Sequence, residues 1–295
     1  MKLVNFDDGN GVRAGVVIEH RIRGLSELPG FSSVRSVDEL LASGHLEELR
    51  RAVGFLPPKG GSSIESSRLL SPILLPEKIL CAAVNYGGHG KEKGSSPPKE
   101  PYFFTKFRNC IIGNGDPILI PRVSSKADWE VELAVIIGKR GKYIRREDAM
   151  DYIAGYAIAN DVSFRDRQFP EGWPSKLNAQ GQNWVMGKAL DSAFPLGPWL
   201  VTRDEIANPQ NIRISLSVNG AVRQDSTTGD MIFGVDRLVE YLSSGITLSP
   251  GDVISTGTPA GVAAYSGAPF LKDGDVVECQ IEGIGKLRNP VVQET

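Results

Sequence analysis

The chain has 295 residues, 41% of them apolar and 23% charged, with a formal net charge of -2. This is ordinary globular composition, enough for one large domain or two unequal ones. The near-neutral charge argues against nucleic acid or an anionic membrane as partner. No run approaches the ~20 apolar residues of a membrane helix.

The opening Met1-Lys2-Leu3-Val4-Asn5-Phe6-Asp7 turns acidic before an apolar run can form, so no signal peptide is expected. Val12 to Glu19 is β-branched and predicts a strand. From Ser36 to Val53 apolar residues recur near helical spacing, with Ser36 and Glu39 as a capping box and Gly44 splitting the helix in two. Pro57-Pro58-Lys59-Gly60-Gly61-Ser62-Ser63 reads as a linker or long surface loop. The expectation is a small N-terminal domain over residues 1–75 and a larger one over 76–295.

From Ile79 onward strands dominate. They are predicted at Ile79–Val84, Pro101–Lys106, Trp129–Ile137, Ile153–Ala159, Ile212–Val218, Val253–Thr256, Val276–Ile281 and Gly285–Val292. Asn219-Gly220 is a hairpin turn, since both positions tolerate positive φ. Helices are few: about Arg146–Tyr152 and Val235–Ser244. Strands and helices do not alternate, which predicts a mainly antiparallel, β-rich α+β fold. Cys81, Cys110 and Cys279 are odd in number, far apart and set among apolar residues. They read as buried thiols of a reducing, cytoplasmic compartment.

Two strands end in carboxylates. In Asp128-Trp129-Glu130-Val131-Glu132-Leu133, Glu130 and Glu132 are two apart and share one face of a strand. Side by side, they raise each other's pKa unless Lys, Arg or a divalent metal lies between them; a solvated edge pair is the bland alternative. The apolar run Ile153–Ala159 likewise ends abruptly in Asn160-Asp161, and Asp161 would complete an all-oxygen site. Such a donor set suits Mg²⁺, with Mn²⁺ and Ca²⁺ as competitors. His20 and His45 lack acidic context. His89 and Glu92, three apart on a glycine-rich stretch, can be a general base and its orienting carboxylate or an incidental surface pair. Gly87, Gly88, Gly90 and Gly94 predict a flexible loop that orders on binding. The basic cluster Lys139, Arg140, Lys142, Arg145 and Arg146 reads as a solvated turn. Dinucleotide, P-loop, zinc-protease and serine-hydrolase motifs are missing.

Taken in order, Asn85-Tyr86-x-x-His89-x-x-Glu92, Asp128-x-Glu130-x-Glu132, Asn160-Asp161, Arg165-Asp166-x-Gln168, Gly187-Lys188, Pro195-x-Gly197-Pro198, Asp230-Met231-Ile232-Phe233 and Thr256-Gly257-Thr258-Pro259-x-Gly261 resemble the fumarylacetoacetate hydrolase superfamily, in its acylpyruvase and 2-hydroxyhepta-2,4-diene-1,7-dioate isomerase-like branch. The resemblance covers about residues 79–292. It implies a mixed β-sandwich roll behind a small N-terminal α/β domain, and a homodimer. It implies Mg²⁺ or Mn²⁺ on Glu130, Glu132 and Asp161, and a His89–Glu92 dyad on a closing lid. Lys188 falls at the family's active-site lysine, and Arg165, Gln168 and Thr258 at substrate contacts. Lys188 as a solvated strand residue and Arg165 as a partner of Asp166 are the structural alternatives. The segment Phe169–Gln182 is expected to wall the pocket. The reaction expected is cleavage of a C–C bond in an acylpyruvate-type 2-oxo acid. Decarboxylation of an oxaloacetate-like acid, isomerisation or hydration of an unsaturated 2-oxo diacid, and a low-turnover metal-binding role remain open.

Overall fold

The structure, a computed structural model, describes residues 1–55, 60–92, 96–169 and 182–295. Pro57 to Lys59 of the expected linker, Gly94 of the glycine-rich stretch and residues 170–181 of the expected pocket wall lie outside the described residues. No helix among the described residues is long and apolar enough to cross a membrane.

Two mixed sheets, mostly antiparallel, and a two-stranded antiparallel ribbon, Ala127–Asp128 with Ser163–Phe164, form the fold, which is not a barrel. Across the larger one the strands run Ser62–Ser63, Arg21–Gly24, Val12–Ile18, Lys2–Asp7, Phe194–Thr202, Ile153–Asn160, Val131–Ile137, Val253–Ser255, Ile79–Ala83 and Tyr102–Lys106. Along this path only Val253–Ser255 and Ile79–Ala83 pair in parallel, with Val253 opposite Ile79. The smaller sheet orders Ala221–Thr227, Arg213–Val218, Val276–Ile281, Gly285–Gln293 and Ile118–Ile120. It packs across the central strands of the larger sheet, so Val131–Ile137 and Ile153–Asn160 are buried on both faces. Burial on both faces is why these strands read as unbroken apolar runs rather than alternating ones.

The first strand joins the large sheet through Lys2↔Val201 and Leu3↔Leu200. The helices Val37–Ser43 and Leu46–Val53 bury Leu40, Leu41 and Leu49 in the same hydrophobic cluster as Leu3 and Ile136. Gly44, at φ 73°, ends the first helix as expected. Ser36 Oγ accepts from Glu39 N–H, but the Glu39 carboxylate caps Arg35 N–H instead of closing the box on Ser36. The Asn219-Gly220 turn has φ of 52° and 80°. Arg146–Tyr152 is wound as 3₁₀ turns, and Val235–Ser243 is the second C-terminal helix. All three cysteines are buried free thiols.

The sequence reading omitted Phe194–Thr202, a central strand. Pro195, Gly197 and Pro198 disguise it. The pairing with Ile153–Asn160 slips between Tyr156 and Ile158, which face Val201 and Gly197. Pro198 sits inside that bulge, where a missing N–H breaks no ladder bond.

Candidate active site

Strand pairing builds the carboxylate cluster. Val131 lies opposite Asn160 and Glu132 opposite Ala159. One residue further on, Asp161 N–H donates to Glu130 C=O at 2.8 Å. Glu130, Glu132 and Asp161 therefore meet at the shared end of two central strands, with one carboxylate oxygen from each within 4.8 Å of the others. They are 6%, 1% and 1% exposed, so the edge-pair alternative fails.

Each carboxylate is fixed on one side. Glu132 Oε2 accepts from Ser255 Oγ and from Gly257 N–H at 2.8 Å. Glu130 Oε1 accepts from Arg165 Nη2 and Ser163 Oγ, and Oε2 from Lys188 Nζ at 2.8 Å. Asp161 Oδ2 accepts from Lys188 Nζ at 2.6 Å. Lys106 Nζ lies 2.8 Å from Asp161 Oδ1, but its protons point to the carbonyls of Val162, Ala193 and Lys188. Asp161 Oδ1 is left buried without a hydrogen bond.

Burial opposes ionisation of Glu130, yet the charges of Lys188 and Arg165 outweigh it and hold this carboxyl below the usual range. Glu132 goes the other way. Burial, then the charges of Asp161 and Glu130, push it well above the usual value. Burial also works against the charged Lys188, but Asp161 and Glu130 hold its ammonium above the ordinary value. Glu132 makes no ion pair among the described residues, and Asp161 Oδ1 beside it accepts no hydrogen bond; a divalent cation would supply the positive charge an anionic Glu132 lacks. The all-oxygen donors match hard cations. The residues therefore fit a divalent metal.

His89 enters the same cavity from the helix Gly87–Glu92. This stretch is helical, in place of the flexible loop expected from its glycines. His89 is 7% exposed, and its ring meets Tyr265 edge-on at 5.9 Å. Its Nδ1 stands 3.8 Å from Glu92 Oε2, longer than a hydrogen bond. The Glu92 carboxylate instead accepts from Gly261 N–H at 3.0 and 3.1 Å. Gly261 has φ +106°, and a Cβ there would lie 2.0 Å from Arg223 C=O. Only glycine presents that N–H to Glu92.

The cavity, about 30 Å³, brings together His89, Glu130, Glu132, Arg165, Gln168, Lys188 and Thr258, the sequence-predicted residues apart from Glu92 and Asp161 at its margin. Lys188 ends the short helix Trp184–Lys188 and is 2% exposed, so it is not a solvated strand residue. Arg165 binds Asp128 and Glu130 rather than Asp166, which accepts from Ser124 and Ser125. Gln168 accepts from Arg165 Nη1 and donates to Gln182. The Thr258 hydroxyl donates to Val131 C=O and accepts from Gln224. His20 and His45 are exposed and far from this site in the sequence. In the basic cluster, Arg145 and Arg146 make exposed ion pairs with Asp148 and Asp236.

Lys106, Ser255, Asp128 and Tyr265 were missed. Lys106 closes the run Tyr-Phe-Phe-Thr-Lys at the end of an apolar strand, and that was its only signal. Asp128 takes N–H donors from Trp129, Ala263 and Ala264 besides Arg165 Nε. Ser255 and Tyr265 gave none.

Residues 78–292 match the family model for the fumarylacetoacetate (FAA) hydrolase C-terminal domain. The chain is 49% identical over 225 residues to a mitochondrial oxaloacetate tautomerase of Xenopus laevis, covering 76% of this chain and 68% of that protein. It is 42% identical over 275 residues to one of Bos taurus, covering 91% and 84%. The crystal structure of maleylpyruvate hydrolase from Sphingobium sp. SYK-6, in complex with manganese(II) ion and pyruvate, superimposes with a TM-score of 0.81 at 31% identity, covering both chains fully.

Proposed function

The chain belongs to the fumarylacetoacetate hydrolase family, and we propose on that premise that its cavity interconverts the keto and enol forms of a small 2-oxo dicarboxylic acid of the oxaloacetate type. The carrying observation is the meeting of a buried imidazole, a buried ammonium and two carboxylates in one cavity, with the third carboxylate, Asp161, beside them. Glu130, Glu132 and Asp161 would hold Mg²⁺ or Mn²⁺. When bound, the cation supplies Lewis acidity toward the carboxylate and keto oxygens of a 2-oxo acid.

The chain's own residues do the rest. His89 takes a proton from the carbon next to the keto group as that C–H electron pair moves into a new C=C bond. The oxygen gains the negative charge and then a proton; the reverse path restores the ketone. The Lys188 ammonium, held among Glu130 and Asp161 at 2.8 and 2.6 Å, stands where it offsets charge growing on that oxygen. Arg165 fixes Glu130, and Gln168 offers its amide to the substrate. Thr258, its hydroxyl spent on Val131 and Gln224, shapes the wall.

Relatives named oxaloacetate tautomerase favour this reaction over the C–C hydrolysis expected from the sequence. Hydrolysis stands as the second reading, on the likeness to maleylpyruvate hydrolase. The test is ultraviolet decay of enol-oxaloacetate with Mn²⁺, with EDTA and in His89→Ala, with products assigned by NMR. Faster enol loss that needs both metal and His89, yielding ketone, supports the proposal. Release of two acids from an acylpyruvate without faster tautomerisation would replace it with hydrolysis. The resemblance also carries a homodimer into the proposal. A light-scattering mass of 31.9 kDa, that of one chain, would remove it.

A further inference from the structure

On the far side of Arg165 and Tyr265, which also wall the metal cavity, lies an open recess of about 560 Å³. The two spaces differ in charge. In the inner cavity and its rim, Arg165, Lys188 and Lys106 are already committed to Asp128, Glu130 and Asp161, leaving no cationic side chain to spare for a second anion. The inner cavity, at about 30 Å³, holds little more than one water or ion. Any substrate gripped at the carboxylates must extend out of it.

The recess offers what the cavity lacks. Lys126 and Arg167 line it; the Arg167 charge acts on the adjacent Asp166, but neither basic side chain makes a direct ion-pair contact among the described residues. Arg167 Nε is buried without a hydrogen-bond partner, so no protein acceptor fixes the guanidinium through that atom. Asp166, the one acid in the lining, is already taken by Ser124 Oγ at 2.6 Å and Ser125 N–H at 2.9 Å. Tyr265, Phe169 and Phe270 give the recess apolar sides along which a methylene chain can lie.

We infer that this recess is a distal-anion subsite, in which Arg167, assisted by Lys126, binds the second carboxylate of a 2-oxo dicarboxylic acid whose 2-oxo end lies at Glu130, Glu132 and Asp161. The inference rests on the proposed function for the 2-oxo end only. It makes Tyr265 the threshold between the two ends and Arg167 the residue that selects diacids over monoacids.

The test is calorimetry on Mn²⁺-loaded full-length protein with a chain-matched pair, 2-oxoadipate against 2-oxohexanoate. A charge-assisted bond of this kind corresponds to roughly a tenfold or greater preference for the diacid. Arg167→Ala should remove most of that preference, Arg167→Glu should reverse it, and Arg167→Lys should keep part. Melting temperatures of the variants check that they fold. A parent without diacid preference overturns the inference, as does a preference that survives in the Arg167→Ala, Lys126→Ala double variant. If the preference depends on Arg167 but enol-oxaloacetate is not turned over, the subsite stands and the proposed reaction falls. If turnover occurs without diacid preference, the reverse holds.

Discussion

Lys106 and Ser255 act on the carboxylates from behind. A lysine that reaches three backbone carbonyls and lies beside Asp161 is among the costliest groups in the molecule to remove. Lys106→Met leaves those carbonyls and Asp161 without their cation, and should cost about 3–5 kcal/mol in chemical denaturation. Added Mn²⁺ should restore part of that loss, since it also neutralises Asp161. Among the described residues, the Ser255 hydroxyl hydrogen-bonds only to Glu132 Oε2. Ser255→Ala should leave the melting temperature without metal nearly unchanged and weaken Mn²⁺ binding by roughly 10–100-fold in a titration. Equal metal affinity in that variant would mean that Gly257 N–H alone orients Glu132.

At the scale of elements, glycines and one aspartate mark where chain segments meet. Gly155 lies in a central strand, and a Cβ there would stand 2.1 Å from Val201 C=O. Gly155→Ala must push two neighbouring strands apart and should destabilise by about 1–3 kcal/mol or more. Asp8, at the tip of the first hairpin, accepts from Ser62 Oγ and pairs with Arg13. Those bonds, led by Ser62, hold its pKa down to about 2 from 3.8. A lowered carboxyl stabilises fully above its unfolded value, and the gain is lost as pH falls through the folded one. Thermal melts should therefore show a loss between about pH 4 and 2 that Asp8→Asn flattens. Elements with a single pattern were readable from sequence: the helix pair broken by Gly44, the Asn219-Gly220 hairpin, the apolar run into Glu132. Phe194–Thr202 was not, because its prolines are tolerated only by a bulge that belongs to the partner strand as much as to itself. The glycine-rich stretch Gly87–Glu92 misled in the opposite direction. Glu92 on Gly261 N–H, 169 residues away, closes one end of a helix that local propensity disfavours.

Taken whole, the molecule draws its site from every part of the larger chain segment. The carboxylates, His89 and Lys188 could be named from spaced motifs, but Arg165's true partners and the role of Lys106 depend on burial that no local window reveals. Mn²⁺ or Mg²⁺ should raise the melting temperature in proportion to the logarithm of its concentration above Kd. Glu132→Gln should abolish most of that rise. A variant that still responds fully would dissociate Glu132 from the metal.

The parallel ladder between Ile79–Ala83 and Val253–Ser255 also bears on how the protein is made. Its two strands are separated by most of the catalytic segment, so closing it carries a large loop entropy and a high contact order, which slows folding. During synthesis, the residues that steady Glu132, Ser255 and Gly257, emerge long after Glu132 itself. A ribosome-bound chain halted before residue 250 should present its carboxylates without the donors that orient them, and so gain little protease protection from added Mn²⁺. Protection should appear only once the last sixth of the chain has been translated.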